Sequence, residues 1–124
     1  MEQAAVFDII YYLMVGVFFT HELDAVKRHE WRVLPLLSHL PDRGAEQFFI
    51  WFHAPIFALL LLGGDGEPSN GLRLGLAGFA IVHVGLHWIF RKHPAYEFNN
   101  PSSWALILLT GILGAAYLTL VSVS

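Results

Sequence analysis

Histidine and carboxylate side chains lie within segments of this sequence that are otherwise apolar, and these residues could perform chemistry. Four of the seven histidines belong to such segments, namely His21, His53, His83 and His87. Glu22 and Asp24 lie beside the first of them. An ionisable group in hydrocarbon costs roughly 2.5–3.5 kcal/mol or more unless it has a partner or faces a polar cavity. Several such groups on different segments therefore predict one shared polar site.

The spacing of these residues favours a metal site. His83 and His87 are four residues apart and His21 and Asp24 are three apart, so each pair projects from one face of a helix. Neutral imidazole and carboxylate are ligands that zinc, iron and manganese accept inside helical bundles. We predict a divalent metal ion, zinc or iron, as the cofactor. The predicted ligands are His21, Asp24, His53, His83 and His87.

Glu22 is the predicted catalytic residue of this cluster. Its side chain points about 100° away from that of His21 around the helix axis, beside the predicted ligands rather than among them. A carboxyl group in such a place can act as a general acid or base. The segment His21-Glu22-Leu23-Asp24-Ala25 also begins like the HExxH motif of zinc proteases, but Ala25 replaces the second histidine. A protease helix of that kind is therefore excluded.

Four apolar segments must position these groups, and each approaches the roughly 20 residues that cross about 30 Å of hydrocarbon. The predicted spans are residues 4–23, 45–62, 72–90 and 103–123. The chain is 56% hydrophobic and only 14% charged, whereas soluble proteins carry about 25% charged residues. The connections between the spans are short, so consecutive helices should be antiparallel neighbours. We predict an all-α, integral membrane, up-down four-helix bundle with a single domain over residues 1–124.

Glycines on the last two spans predict close packing between them. Small residues at a helix interface let two backbones approach each other inside a membrane. Those expected to do so here are Gly71, Gly75, Gly78, Gly85, Gly111 and Gly114 with the two alanines after it.

The basic residues predict how the bundle is oriented. Six of the seven lie in the first and third connections, namely Lys27, Arg28, Arg32, Arg43, Arg91 and Lys92, and only Arg73 lies in the second. Since Lys and Arg concentrate in cytoplasmic loops, both termini should lie outside the cell membrane. At 1.5 Å per residue, the histidines of three spans then fall within about two helical turns of each other, near the cytoplasmic side.

Composition also limits the partners. The net charge of −3 provides no basic patch for nucleic acid, and the absence of cysteine excludes thiolate metal sites. The expected partners are the lipid bilayer and an amphiphilic small molecule, and self-association as a homo-oligomer stays open.

The layout resembles small bacterial membrane-protein families of unknown function. It consists of four short spans, with His21-Glu22-Leu23-Asp24-Ala25 at the end of the first and His29-Glu30-Trp31-Arg32 after it. One such family is named for an HxxEE motif, from which the present chain differs at Asp24 and Ala25. The resemblance covers most of the chain. It implies a bacterial multi-pass membrane protein and assigns no activity.

Three classes of function remain open on these observations. The favoured one is a metal-dependent enzyme that acts on a lipid-like or amphiphilic substrate. The second is an ion or proton transport or binding module that uses the same polar groups. The third is a non-catalytic structural partner subunit, whose histidines satisfy one another's hydrogen bonds. Whether the protein is an enzyme therefore depends on how these side chains are arranged in space.

Overall fold

The computed structural model describes residues 2–124, which form four long α-helices. Helix α1 spans Glu2–Lys27, α2 spans Asp42–Leu62, α3 spans Gly71–Phe90 and α4 spans Pro101–Val123. Three short 3-10 helices lie in the connections, at Glu30–Arg32, Leu37–His39 and Gly63–Asp65. No strand occurs within the described range, so the predicted all-helical architecture with four helices is confirmed. All four helices are long and apolar enough to cross a membrane.

Local sequence signals explain where the helices begin and end. Asn70 and Asn100 cap α3 and α4, accepting hydrogen bonds of 2.8 Å from the backbone N–H groups of Leu72 and Ser103. Pro101 occupies the first turn of α4, where its missing N–H costs nothing. Helix α1 ends at Lys27, and shortly after it His29 adopts a left-handed conformation with φ 55° and ψ 48°. This residue reverses the chain direction and returns the first connection towards the bundle.

Contacts between the helices show that neighbours run in opposite directions. Near one end of the bundle, the ring of Tyr117 on α4 lies 5.9 Å from that of Phe7 on α1. Near the other end, Ser103 at the start of α4 donates a 2.5 Å hydrogen bond to Asp24 on α1. Helix α2 is also antiparallel to α1, because Tyr11 donates to the Leu60 carbonyl while Glu22 meets His53.

Two glycines of α4 lie against α3, and a Cβ atom at Gly111 would lie 2.6 Å from Cγ2 of Val84. A Cβ atom at Gly114 would lie 2.5 Å from the carbonyl oxygen of Ala77 and 3.0 Å from the Cβ of Ala80. Gly78, in contrast, has open space where its Cβ would stand, so it does not contribute to this contact. The expected glycine packing therefore holds for Gly111 and Gly114, and it is wrong for Gly78 and for the other three glycines with open space, namely Gly71, Gly75 and Gly85.

Helix α2 stands apart from the other three. Tyr11, Met14 and Phe18 of α1 are at most 5% exposed in the core between α1, α3 and α4. Helix α2 contributes only Ala45 and Phe49 to the buried residues. A cavity of about 940 Å³ consequently separates much of α2 from α1 and α3.

Candidate functional site

Three of the predicted metal ligands meet between α1 and α3. The ring centroid of His21 lies 4.5 Å from that of His83 and 5.1 Å from that of His87, and the latter two are 4.5 Å apart. All three side chains are buried, with His21 fully so. The four-residue spacing on α3 places His83 and His87 one turn apart on the face that meets α1.

Glu30 completes this group. One ligand atom from each of His21, Glu30, His83 and His87 can be chosen so that all four lie within 4.8 Å of one another. The closest approach of the carboxylate is 3.3 Å, between Glu30 Oε1 and His87 Nε2. We call these four residues the His–Glu cluster.

The first connection holds Glu30 in place through Asp42 at the start of α2. The carboxylate of Asp42 accepts a 2.9 Å hydrogen bond from Trp31 Nε1 and bonds of 2.8 and 2.9 Å from the guanidinium of Arg32. On the other side, His29 Nδ1 lies 2.8 Å from Glu97 Oε2 in the third connection. These contacts lock the turn that points Glu30 at the histidines.

The ring nitrogens of two histidines lack hydrogen-bond partners. Among residues 2–124, nothing within hydrogen-bond distance pairs with Nδ1 or Nε2 of His21 or with Nδ1 of His83. The nearest carboxylate oxygen to His21 Nε2 belongs to Glu22 and is 4.0 Å away, which is too far for a hydrogen bond. A buried polar group left unpaired costs about 1–3 kcal/mol. Coordination to a cation would engage one nitrogen of each ring, so three imidazoles and one carboxylate fit a divalent metal ion.

Tyr96 in the third connection orients His87. Its hydroxyl lies 2.9 Å from His87 Nδ1. Burial raises the pKa of Tyr96, and the charge of Glu30 raises it further, so the group remains a hydroxyl at neutral pH. A hydroxyl oxygen can accept the Nδ1 proton and leave the Nε2 lone pair free. Metal-binding histidines are usually supported on their second nitrogen in this way.

Glu22 and His53 form a separate pair beside the cluster. His53 Nε2 is hydrogen-bonded to Glu22 Oε2, while its Nδ1 donates to the carbonyl of Phe49 at 2.6 Å. Because Nδ1 uses its proton in the bond to that carbonyl, the hydrogen bond between Nε2 and the carboxyl group of Glu22 contains one further proton, which the two groups share. The structure thus places His53, a predicted ligand, against the predicted acid–base residue and outside the His–Glu cluster.

Asp24, another predicted ligand, faces α4 instead of the histidines. Its Oδ2 accepts the hydrogen bond from Ser103, and its Oδ1 lies 3.3 Å from Arg28 Nε. Asp24 therefore ties α1 to the start of α4. The structure brings together three of the five predicted ligands with a carboxylate that had not been predicted.

Sequence reasoning missed Glu30 and Tyr96 because both lie in connections. One signal for Glu30 was available, since His29-Glu30 repeats the pair His21-Glu22 eight residues later. On a continuous helix, however, Glu30 would lie about 180° around the axis from His21. Only the chain reversal at His29 brings its carboxylate back.

The cavity beside α2 ends at these polar groups. Glu22, Glu30, His53, His83 and His87 contribute to its wall, together with Tyr96. Its remaining lining consists of apolar residues of α1, α2, α3 and the first and third connections. The site therefore faces an apolar chamber.

Comparisons with known proteins concern the whole chain. No curated protein and no solved structure matches it. A family model does match, over residues 7–124, and that family is described as one of unknown function. The matched range contains every residue of the site described above, and it confirms the expectation of a family of unknown function. The chain belongs to this family, DUF6713.

Proposed function

We propose that this protein is a metal-dependent membrane enzyme that acts on a lipid-like or amphiphilic substrate. The observation that carries the proposal is the His–Glu cluster, whose ligand atoms converge within 4.8 Å. Nitrogens of His21 and His83 in that cluster have no other partner among the described residues. Zinc or iron in the divalent state suits three imidazoles and a carboxylate.

The surface of the four helices supports placement in a membrane. Large apolar side chains are widely exposed, such as Trp51 at 73%, Ile89 at 69% and Ile112 at 63%. Lipid would cover these side chains, which a soluble monomer rarely exposes in such number. Arg73, the basic residue outside the two basic connections, is fully buried and donates to the carbonyls of Gly63 and Gly64. Four of the other basic residues, Lys27, Arg43, Arg91 and Lys92, have no ion pair within residues 2–124 and lie near the end that holds the site, which supports a cytoplasmic site with both termini outside.

The groups around the cluster suit metal-assisted hydrolysis. A bound divalent ion would act there as a Lewis acid on a carbonyl group of the substrate. Glu22, which shares a proton with His53, would take a proton from water and return it to the leaving group. Glu22 lies on the cavity wall beside the cluster, so the metal ion and the carboxyl group of Glu22 would face the same cavity. Tyr96 would keep His87 in its ligating orientation.

The two alternative functions fit the arrangement less well. A transport path needs polar groups or water along its length. The interior below the cluster is apolar, with Met14, Val15 and Phe18 packed against Leu76 and Ala80. A purely structural cluster would have its histidines hydrogen-bonded to one another, whereas both nitrogens of His21 lack partners within residues 2–124.

Metal content and hydrolysis measured on the same variants test the proposal. Purified wild type should retain one metal ion per chain in inductively coupled plasma mass spectrometry, and His21→Ala should lose it. Glu22→Gln and His53→Ala should keep the metal but lose hydrolysis of a long-chain ester. His39→Ala, at an exposed position in the first connection, is the control and should keep both. Wild type without metal from metal-supplemented cells, or full metal in His21→Ala, would contradict the proposal.

A further inference from the structure

We infer that the cavity binds an uncharged lipid, with the acyl chain along its apolar length and a small polar head at the His–Glu cluster. This inference rests on the proposed function and specifies its substrate class. It follows from the shape of the cavity, from the charges on its wall and from its access to the surface.

The cavity is long enough for an acyl chain. It is bounded on one side by α2 from Phe48 to Leu60 and on the other by α3 from Leu72 to His87. Leu72 and His87 are 15 positions apart on α3, which is about 22 Å at 1.5 Å per residue. One leaflet of a bilayer core is about 15 Å thick, half of the roughly 30 Å total. A chain that normally spans one leaflet therefore fits between the two helices.

The charges on the wall select the head group. Among the described residues, no lysine or arginine lines the cavity, whereas Glu22 and Glu30 do. Recognition of phosphate normally uses Arg or Lys, and the wall offers neither, while the carboxylate of Glu30 offsets part of the charge of a bound divalent ion. The nearby guanidinium groups are engaged elsewhere, Arg28 with Asp24 and Arg32 with Asp42. The remaining positive charge of the ion would repel a cationic head, and no side chain of the wall is available to bind a phosphate, so an uncharged head is the one that the wall accepts.

The long sides of the cavity give access from the surrounding lipid. Phe52 on α2 and Phe79 and Leu86 on α3 line the cavity and are 53%, 46% and 40% exposed. At the polar end, Tyr96 and Phe98 of the third connection are buried and close the chamber. A lipid can thus enter sideways between α2 and α3, and the closed end leaves space only for a small head.

Two glycines on α3 provide a matched test. Gly75 lines the cavity and Gly78 does not, yet both have open space where a Cβ would stand. Gly75→Phe should therefore place a ring in the cavity without a backbone clash, while Gly78→Phe makes the same change outside it. Neither residue belongs to the His–Glu cluster or to its supporting contacts.

The probe is hexadecanol with a diazirine in its chain, photolysed with full-length protein in phosphatidylcholine vesicles. We expect labelling of cavity residues in wild type and Gly78→Phe, and at least tenfold less in Gly75→Phe. Unlabelled hexadecanol should compete, whereas hexadecyl phosphate and hexadecyltrimethylammonium should not. Equal labelling of both variants, equal competition by the charged amphiphiles, or no labelling of cavity residues in wild type would overturn the inference. Metal content is measured on the same samples. A protein that holds metal but is not labelled in the cavity would contradict this inference alone, whereas a protein without metal would contradict the proposed function.

Discussion

The substitution Tyr96→Phe isolates the support that the third connection gives to His87. It removes one hydroxyl group, 2.9 Å from His87 Nδ1, and keeps the ring. The ring contact with Phe98, at 5.2 Å between centroids, is retained, so the fold should be unchanged. The only group left without its partner is the buried Nδ1 of His87.

The expected loss of zinc affinity follows from that lost hydrogen bond. Removal of a residue that supports a metal-binding histidine typically weakens metal affinity about 10- to 100-fold. At 1.4 kcal/mol per tenfold change, this corresponds to about 1.4–2.8 kcal/mol. We therefore expect Tyr96→Phe to raise the zinc Kd about 10- to 100-fold.

Competition with a calibrated zinc chelator measures this change on purified protein. Tyr12→Phe is the matched control, since Tyr12 is 50% exposed near the middle of α1, away from the cluster, and its substitution should leave the zinc Kd unchanged. Equal zinc Kd values for wild type, Tyr96→Phe and Tyr12→Phe would refute the assignment of His87 as a ligand supported by Tyr96.

Three further predictions test the site and the fold. Only the neutral imidazole binds metal, so metal content should fall when acid supplies protons that compete for the ligands, and it should recover on return to neutral pH; constant content across the acid range would contradict histidine ligation. Gly114→Leu should destabilise the protein by about 1–3 kcal/mol through overpacking against Ala77, whereas Gly78→Leu should not. Equal melting temperatures in detergent would refute this contact. In intact cells, Ser69→Cys should react with an impermeant thiol reagent and Arg43→Cys only after lysis, and the reverse pattern would invert the orientation.

The helices could be predicted because their signals are local. Long apolar runs end at residues that cannot continue a helix or that cap the next one, as Asn100 and Pro101 do before α4. The contact of Gly114 with α3 and the open space at Gly78 could not be distinguished in this way. Both are glycines on apolar helices, and the difference depends on how each helix is rotated about its axis.

The site could be predicted only in part, for a related reason. The histidines on α1 and α3 could be placed together from their depth along the spans. The partners of Asp24 and Glu30 depend on tertiary contacts. Ser103 of α4 donates a hydrogen bond to Asp24, and the turn at His29 brings Glu30 to the histidines. Carboxylate partners of this kind follow from chain reversals and helix neighbours rather than from residue spacing.

X-ray absorption spectroscopy at the metal edge tests the central claim most directly, since it reports the ligands of an ion bound to the native protein. For a zinc ion held by His21, His83, His87 and Glu30, we expect three imidazole nitrogens and one or more oxygens at about 2.0–2.2 Å. In Glu30→Gln the imidazole signal should persist with a changed oxygen shell. A spectrum from wild type with oxygen ligands alone and no imidazole signal would contradict the account.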